Sequence, residues 1–134
     1  MINKMVVSGK RKAAVAKATI TMGNGNVMFN KRSLLSLPQL QQLEINEPLI
    51  IAKEILGKIE FDISLNVKGG GSSAQVEAGR LAIAKAIVKF TGNENLRAAF
   101  LAYDRNLLVA DTRRKEARKP GDSKARAKRQ TSYR

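Results

Sequence analysis

Two stretches of the chain alternate apolar and polar residues in step, and both predict strands. From Ala14 the even positions Ala14, Ala16, Ala18, Ile20 and Met22 are apolar while Lys17, Thr19 and Thr21 intervene, the two-residue period of a half-buried strand. Ile59, Phe61, Ile63, Leu65 and Val67, interleaved with Glu60, Asp62, Ser64 and Asn66, repeat the pattern with one wet face. Gly23-Asn24-Gly25-Asn26 is turn chemistry, so Val27-Met28-Phe29 is predicted to return as the hairpin partner of the first strand.

Helical periods fill the rest. Ser33 to Leu43 is broken by Pro38, and a short helix is expected from Asn46 to Leu56, with Asn46 as cap, Pro48 in the first turn and Gly57 as stop. After Gly69-Gly70-Gly71, Ser72 or Ser73 can cap a long helix to about Phe90. Val76, Ile83, Ile87 and Phe90 form its stripe, beside Gly79, Ala82 and Ala86, which are small enough to let it approach a sheet closely. Thr91-Gly92-Asn93 ends it, and Asn95 to about Ala102 reads as a further helix with Leu96, Ala99, Phe100 and Tyr103 on one side. This order predicts an α+β fold, helices packed on a mostly antiparallel sheet.

The 134 residues, 43% of them hydrophobic, suffice for one domain with a single modest core. The absence of cysteine removes disulfides, thiolate catalysis and zinc-finger sites, and the absence of histidine removes the commonest neutral-pH acid/base group and metal ligand. No enzyme, cofactor or metal is expected. There is no run of about 18 apolar residues and no signal-peptide core at the N-terminus, so a soluble, intracellular chain without a membrane partner is expected.

Charge changes the picture most. Lys and Arg number 25 against 11 Asp and Glu, a net charge of +14, which points to a polyanionic partner and by default to nucleic acid. The charge is clustered. Residues 1–20 hold Lys4, Lys10, Arg11, Lys12 and Lys17 with no acid, whereas residues 21–110 carry ten basic against eight acidic groups. From residue 111 onward ten basic residues face only Asp111, Glu116 and Asp122: Arg113, Arg114, Lys115, Arg118, Lys119, Lys124, Arg126, Lys128, Arg129 and Arg134. This last stretch lacks apolar periodicity and contains Pro120-Gly121, so it cannot recover its ordering entropy alone. The expected division is a globular domain over residues 1–110 and an extended basic tail over 111–134, reaching roughly 80 Å at about 3.3 Å per residue.

Several motifs bear on chemistry. Gly69-Gly70-Gly71-Ser72 at a helix start either cradles an anion with free amides or is a plain strand-to-helix connection; both readings stand open. No Lys-Ser or Lys-Thr follows it and the G-x-G-x-x-G spacing fails, so nucleotide chemistry is not expected. Glu77 and Asp104 have no recognisable catalytic partners and read as helix-surface and ion-pair groups. Ser8-Gly9-Lys10-Arg11-Lys12 presents three cations together beside a flexible Gly, either as a solvated loop or, given the charges of the tail, as a phosphate contact. Arginine forks bond phosphate in pairs and stack on bases, and Tyr133 beside Arg134 adds a stacking surface. A general chromatin-type binder and a phosphate-binding enzyme using the glycine loop are the rival classes.

The order of these pieces resembles a known family over essentially the whole chain: the small-subunit ribosomal proteins S-nine, in their archaeal and eukaryotic form. The residues that carry the resemblance are Ser8 to Lys12, Glu47-Pro48-Leu49, Gly69-Gly70-Gly71 with Gln75 through Ala86, Tyr103-Asp104-Arg105, Leu107 to Asp111, Arg113-Arg114, and the ending Ala127 to Arg134. The resemblance implies a fold like the second domain of ribosomal protein S-five, with a left-handed βαβ crossover. It implies a place in the head of the small subunit, bound to the 3′ major domain of its ribosomal RNA beside neighbouring head proteins, with no DNA partner. Lys10, Arg11, Lys12, Arg113, Arg114, Lys115, Arg118, Lys119, Lys124 and Arg126 are then expected to contact ribosomal RNA. Lys128, Arg129, Tyr133 and Arg134 are expected to lie near peptidyl-site tRNA. One departure is Ala74, where the family usually has Gly, which puts in doubt a positive φ at that position.

Overall fold

The structure, a computed structural model, describes residues 4–130. Strand β1 (Lys4–Arg11) runs antiparallel to β2 (Ala14–Met22) across the tight turn Lys12-Ala13, so it is β1, and not Val27-Met28-Phe29, that forms the hairpin with β2. β3 (Val27–Phe29) lies away from β2. Strand β5 (Phe61–Lys68) sits between them, antiparallel to β2 and parallel to β3. With β4 (Arg32–Ser33) the sheet is mixed, in the order β1-β2-β5-β3-β4.

Asp62 is the reason the expected hairpin fails. Its Oδ1 accepts the backbone N–H groups of Asn24, Gly25 and Asn26 at 3.0, 3.1 and 2.9 Å. The Gly-Asn turn is thus wrapped around a carboxylate from β5 and carries the chain over that strand. The hairpin that does follow β3 closes through Asn30-Lys31, both at positive φ, a two-residue turn without glycine that the sequence reading passed over.

Helix α1 (Gln39–Leu56) corrects a second expectation, because it is one helix with Pro48 inside it rather than a short helix with Pro48 in the first turn. Proline lacks the N–H that would bond the carbonyl of Glu44, at a cost of about 3 kcal/mol. Ile45, Pro48 and Ala52 are buried along one face, and α1 packs that face against the next helix in the chain; this packing offsets the loss. Helix α2 (Ser72–Thr91) has Gly71, not Ser72 or Ser73, at its N-cap and stops at Gly92 as expected. Helix α3 (Glu94–Tyr103) is capped by the Asn93 side chain and buries Leu96 and Phe100, while Tyr103 is exposed.

The inner face of the sheet holds Val7, Ala14, Ala16, Ala18, Ile20, Phe61, Ile63, Leu65 and Val67, all buried under α2, and the outer face is polar apart from Val6, Val15 and Met28. Small residues set the spacing. A Cβ on Gly9 would stand 2.7 Å from the carbonyl oxygen of Ala78 and 2.8 Å from the amide of Ala82. The helix backbone therefore rests directly on β1, and Gly9 is a packing residue in a strand rather than the flexible neighbour of a basic loop. The fold class is α+β, as the periodicities predicted.

Candidate nucleic-acid interface

The strand and helix ends bring the β1–β2 turn, the loop between β5 and α2, and the chain after α3 to one corner of the molecule. Arg11, at the last position of β1, points towards α2. Its Nε meets Glu77 Oε2, and its Nη1 lies 2.7 Å from Asp111 Oδ2 in an ion pair not aligned as a hydrogen bond. Glu77 is thus an ion-pair group, as is Asp104, which pairs with Arg80 at 3.3 Å while Arg80 also meets Glu47.

Asp111 is the hub that sequence reasoning missed, since an acid heading a basic stretch looked only like a diluted charge. Arg113 donates to it through Nε and Nη2 and through its backbone N–H at 3.0 Å. The Arg113 side-chain hydrogen bonds, helped by its amide and by the charge of Arg11, hold the Asp111 carboxyl well below the usual carboxylate range. In return the bond to Asp111 raises the affinity of Arg113 for its proton. Arg114 folds onto its own backbone, with Nη1 bonded to the carbonyls of Asp111 and Arg113.

Around this knot lies an open groove lined by Arg11, Lys12, Ala13, Gly70, Gly71, Ala74, Arg113, Arg114 and Lys115. Gly69 and Gly70 both have positive φ, and a Cβ on Gly69 would come within 2.6 Å of the Ala13 carbonyl. The glycines are needed to turn the chain under the hairpin, so the connection reading has a firm structural basis. Ala74 is buried inside α2 and is not among the residues with positive φ, which removes the conflict its presence raised.

Of the expected RNA contacts, Lys12, Arg113, Arg114 and Lys115 meet at this groove, with Arg11 already balanced by two carboxylates. Lys10 is exposed and lines a neighbouring bay instead. Arg118, Lys124 and Arg126 line a separate concavity, where Arg126 pairs with Glu116 at 3.0 Å. Lys119 and Lys128 are exposed, and Arg129 bonds the carbonyl of Gly121 at 2.7 Å. Tyr133 and Arg134 lie outside the described residues. None of the described helices is long and apolar enough to cross a membrane, and the described residues contain no group of three or more acids able to hold a metal ion.

The corner joins residues far apart in sequence, and the match to known proteins spans all of them. The family model described as ribosomal protein S9/S16 matches residues 9–134. The chain belongs to this ribosomal protein family. Small ribosomal subunit protein uS9 of Methanococcus vannielii is 49% identical over 129 residues, covering 94% of this chain and 95% of the relative. The protein of the same name from Methanococcus maripaludis matches with the same identity and coverage. These relatives are named as proteins of the small ribosomal subunit.

Proposed function

We propose that this chain is a structural constituent of the small ribosomal subunit, acting in cytoplasmic ribosomes, and that it binds small-subunit ribosomal RNA through the basic corner and the segment beyond it. The observation that carries the RNA reading is the convergence of Lys12, Arg113, Arg114 and Lys115 on one groove over exposed backbone at Gly70 and Gly71. Cations on an open rim make phosphate contacts, while the fixed body supplies shape for placement. Lys10, Arg118, Lys119, Lys124 and Arg126 extend the footprint.

The finer reading follows the family resemblance. Residues 1–110 form the RNA-placing domain, with a fold like the second domain of ribosomal protein S-five, and residues 111–134 form the tail. The parallel β3–β5 pair joined through α1 is the βαβ unit that a left-handed crossover would use. The domain sits in the subunit head on the 3′ major domain of the RNA among other head proteins. Lys128, Arg129, Tyr133 and Arg134 approach peptidyl-site tRNA.

Deleting residues 111–134 tests this reading. The body should stay folded, and the salt slope of RNA binding should fall by about 0.7 to 0.9 log units per lost phosphate contact. An unchanged slope would remove the tail from the interface.

A further inference from the structure

The outer face of α1 is built unlike the rest of this basic protein. Leu40, Leu43, Glu47, Ile50 and Glu54 follow one another at steps of three and four, so they form a single stripe along the helix. Its apolar members are uncovered: Leu40 is 69%, Leu43 54% and Ile50 55% exposed. Glu44 flanks the stripe, and the only cation on α1, Lys53, falls well to one side of it. The apolar part of the stripe faces away from the packed residues Ile45, Pro48 and Ala52, and none of the described residues covers Leu40, Leu43 or Ile50.

We propose that this face docks a basic segment of another protein, one that carries apolar anchors with Lys or Arg beside them. The proposal rests on the ribosomal reading above and names the chemistry of one neighbour. Charge complementarity decides the occupant. Glu44 and Glu54 beside the leucines repel RNA phosphate and attract cations, Glu47 being matched by Arg80, and a second copy of this chain would set like-charged stripes against each other. Glu44 and Glu47 also rim the bay that contains Arg80 and Asp104, so a partner cation held at Glu44 lies one helical turn from an anchor over Leu40 and next to one over Leu43. The apolar residues supply burial and the carboxylates supply register and choice of partner.

The test replaces Leu43 with photoreactive benzoylphenylalanine in the full chain, assembles it into small subunits from purified RNA and proteins, and identifies the crosslinked material by mass spectrometry. The same probe at Lys12 is the RNA-facing control. The expected result is a crosslink from position 43 to a Lys/Arg-rich, partly apolar peptide of another protein, and from position 12 to RNA. The double change Glu44→Lys with Glu54→Lys, checked for folding by circular dichroism, should lower the position-43 yield by about tenfold. A crosslink from position 43 to RNA, to a second copy or to nothing in fully assembled subunits overturns the docking face alone, as does a yield indifferent to charge reversal. Failure of the unmodified chain to enter subunits overturns the ribosomal reading and this proposal with it.

Discussion

Arginines in the body and arginines beyond Asp111 are managed in opposite ways. Arg11 and Arg80, both largely buried, each sit between two carboxylates, Glu77 with Asp111 and Glu47 with Asp104. Past residue 111 the cations outnumber the acids and their side chains are exposed, with Arg113 79% and Arg126 88% accessible even though each has one ionic partner. A cation withdrawn from water must be matched locally, whereas one left in water can wait for a partner outside the chain. The body thus uses Glu47, Glu77 and Asp104 for its own cohesion, and the tail keeps a surplus of positive charge. Asp111 is where the two arrangements meet.

The sharpest way to break this contrast is to disturb the body without touching a charge. Gly9→Ala should destabilise it by about 2 to 3 kcal/mol, because β1 and α2 must move apart, and thermal unfolding will show the drop. A stability unchanged by this substitution would mean that the close helix–strand approach is not a constraint. Asp62→Ala strips the acceptor from three backbone amides and should cost about 2 kcal/mol in denaturant unfolding. The groove at the opposite end of β5 should keep its affinity for RNA, so a loss of binding in the folded variant would count against the separation of the two roles. Smaller still is Asp111→Asn: Glu77 still matches Arg11, so the melting temperature should fall only slightly, while tryptic cleavage after Arg113 should speed up because its side chain is freed.

The same junction gives the weakest expected effect, and its sign follows from Asp111. The folded protein holds that carboxyl below its ordinary value of 3.8, so its contribution is present above that value and is lost only as the pH falls through the lower folded one. Protease protection at Arg113 should therefore be flat between about pH 5 and 9, where the Lys and Arg charges are constant as well. A step inside that range would show that some other titrating group controls the junction.

The chain displayed β2, β5 and its two later helices openly because burial on one face leaves a periodic trace. Ile63 and Leu65 alternate with Ser64 and Asn66 for that reason, and Leu96 and Phe100 recur at one helical turn for the same reason. What stayed hidden depended on contacts across the chain. Asp62 captures a turn that by local chemistry alone would have closed a hairpin, and the packing of Ile45 and Ala52 carries α1 straight through Pro48. At the basic corner, Lys12, Arg113 and Arg114 were visible as charges, but their convergence, and the use of Arg11 as a link between α2 and Asp111, are facts of three dimensions. Gly9 looked like a source of mobility because a sequence cannot show the helix lying on top of it.

The position of β5 between β2 and β3 also has a consequence for how the protein is made. During synthesis the β1–β2 hairpin can close as soon as it emerges, since its partners are a few residues apart. β3 has only the two-residue β4 to pair with until β5 follows some thirty residues later, and the inner face of the sheet stays bare until α2 arrives. Pairings between distant segments form slowly and leave apolar surface uncovered meanwhile. Nascent chains halted before residue 61 should expose Ile20 and Phe29, and so are the species on which a chaperone would act.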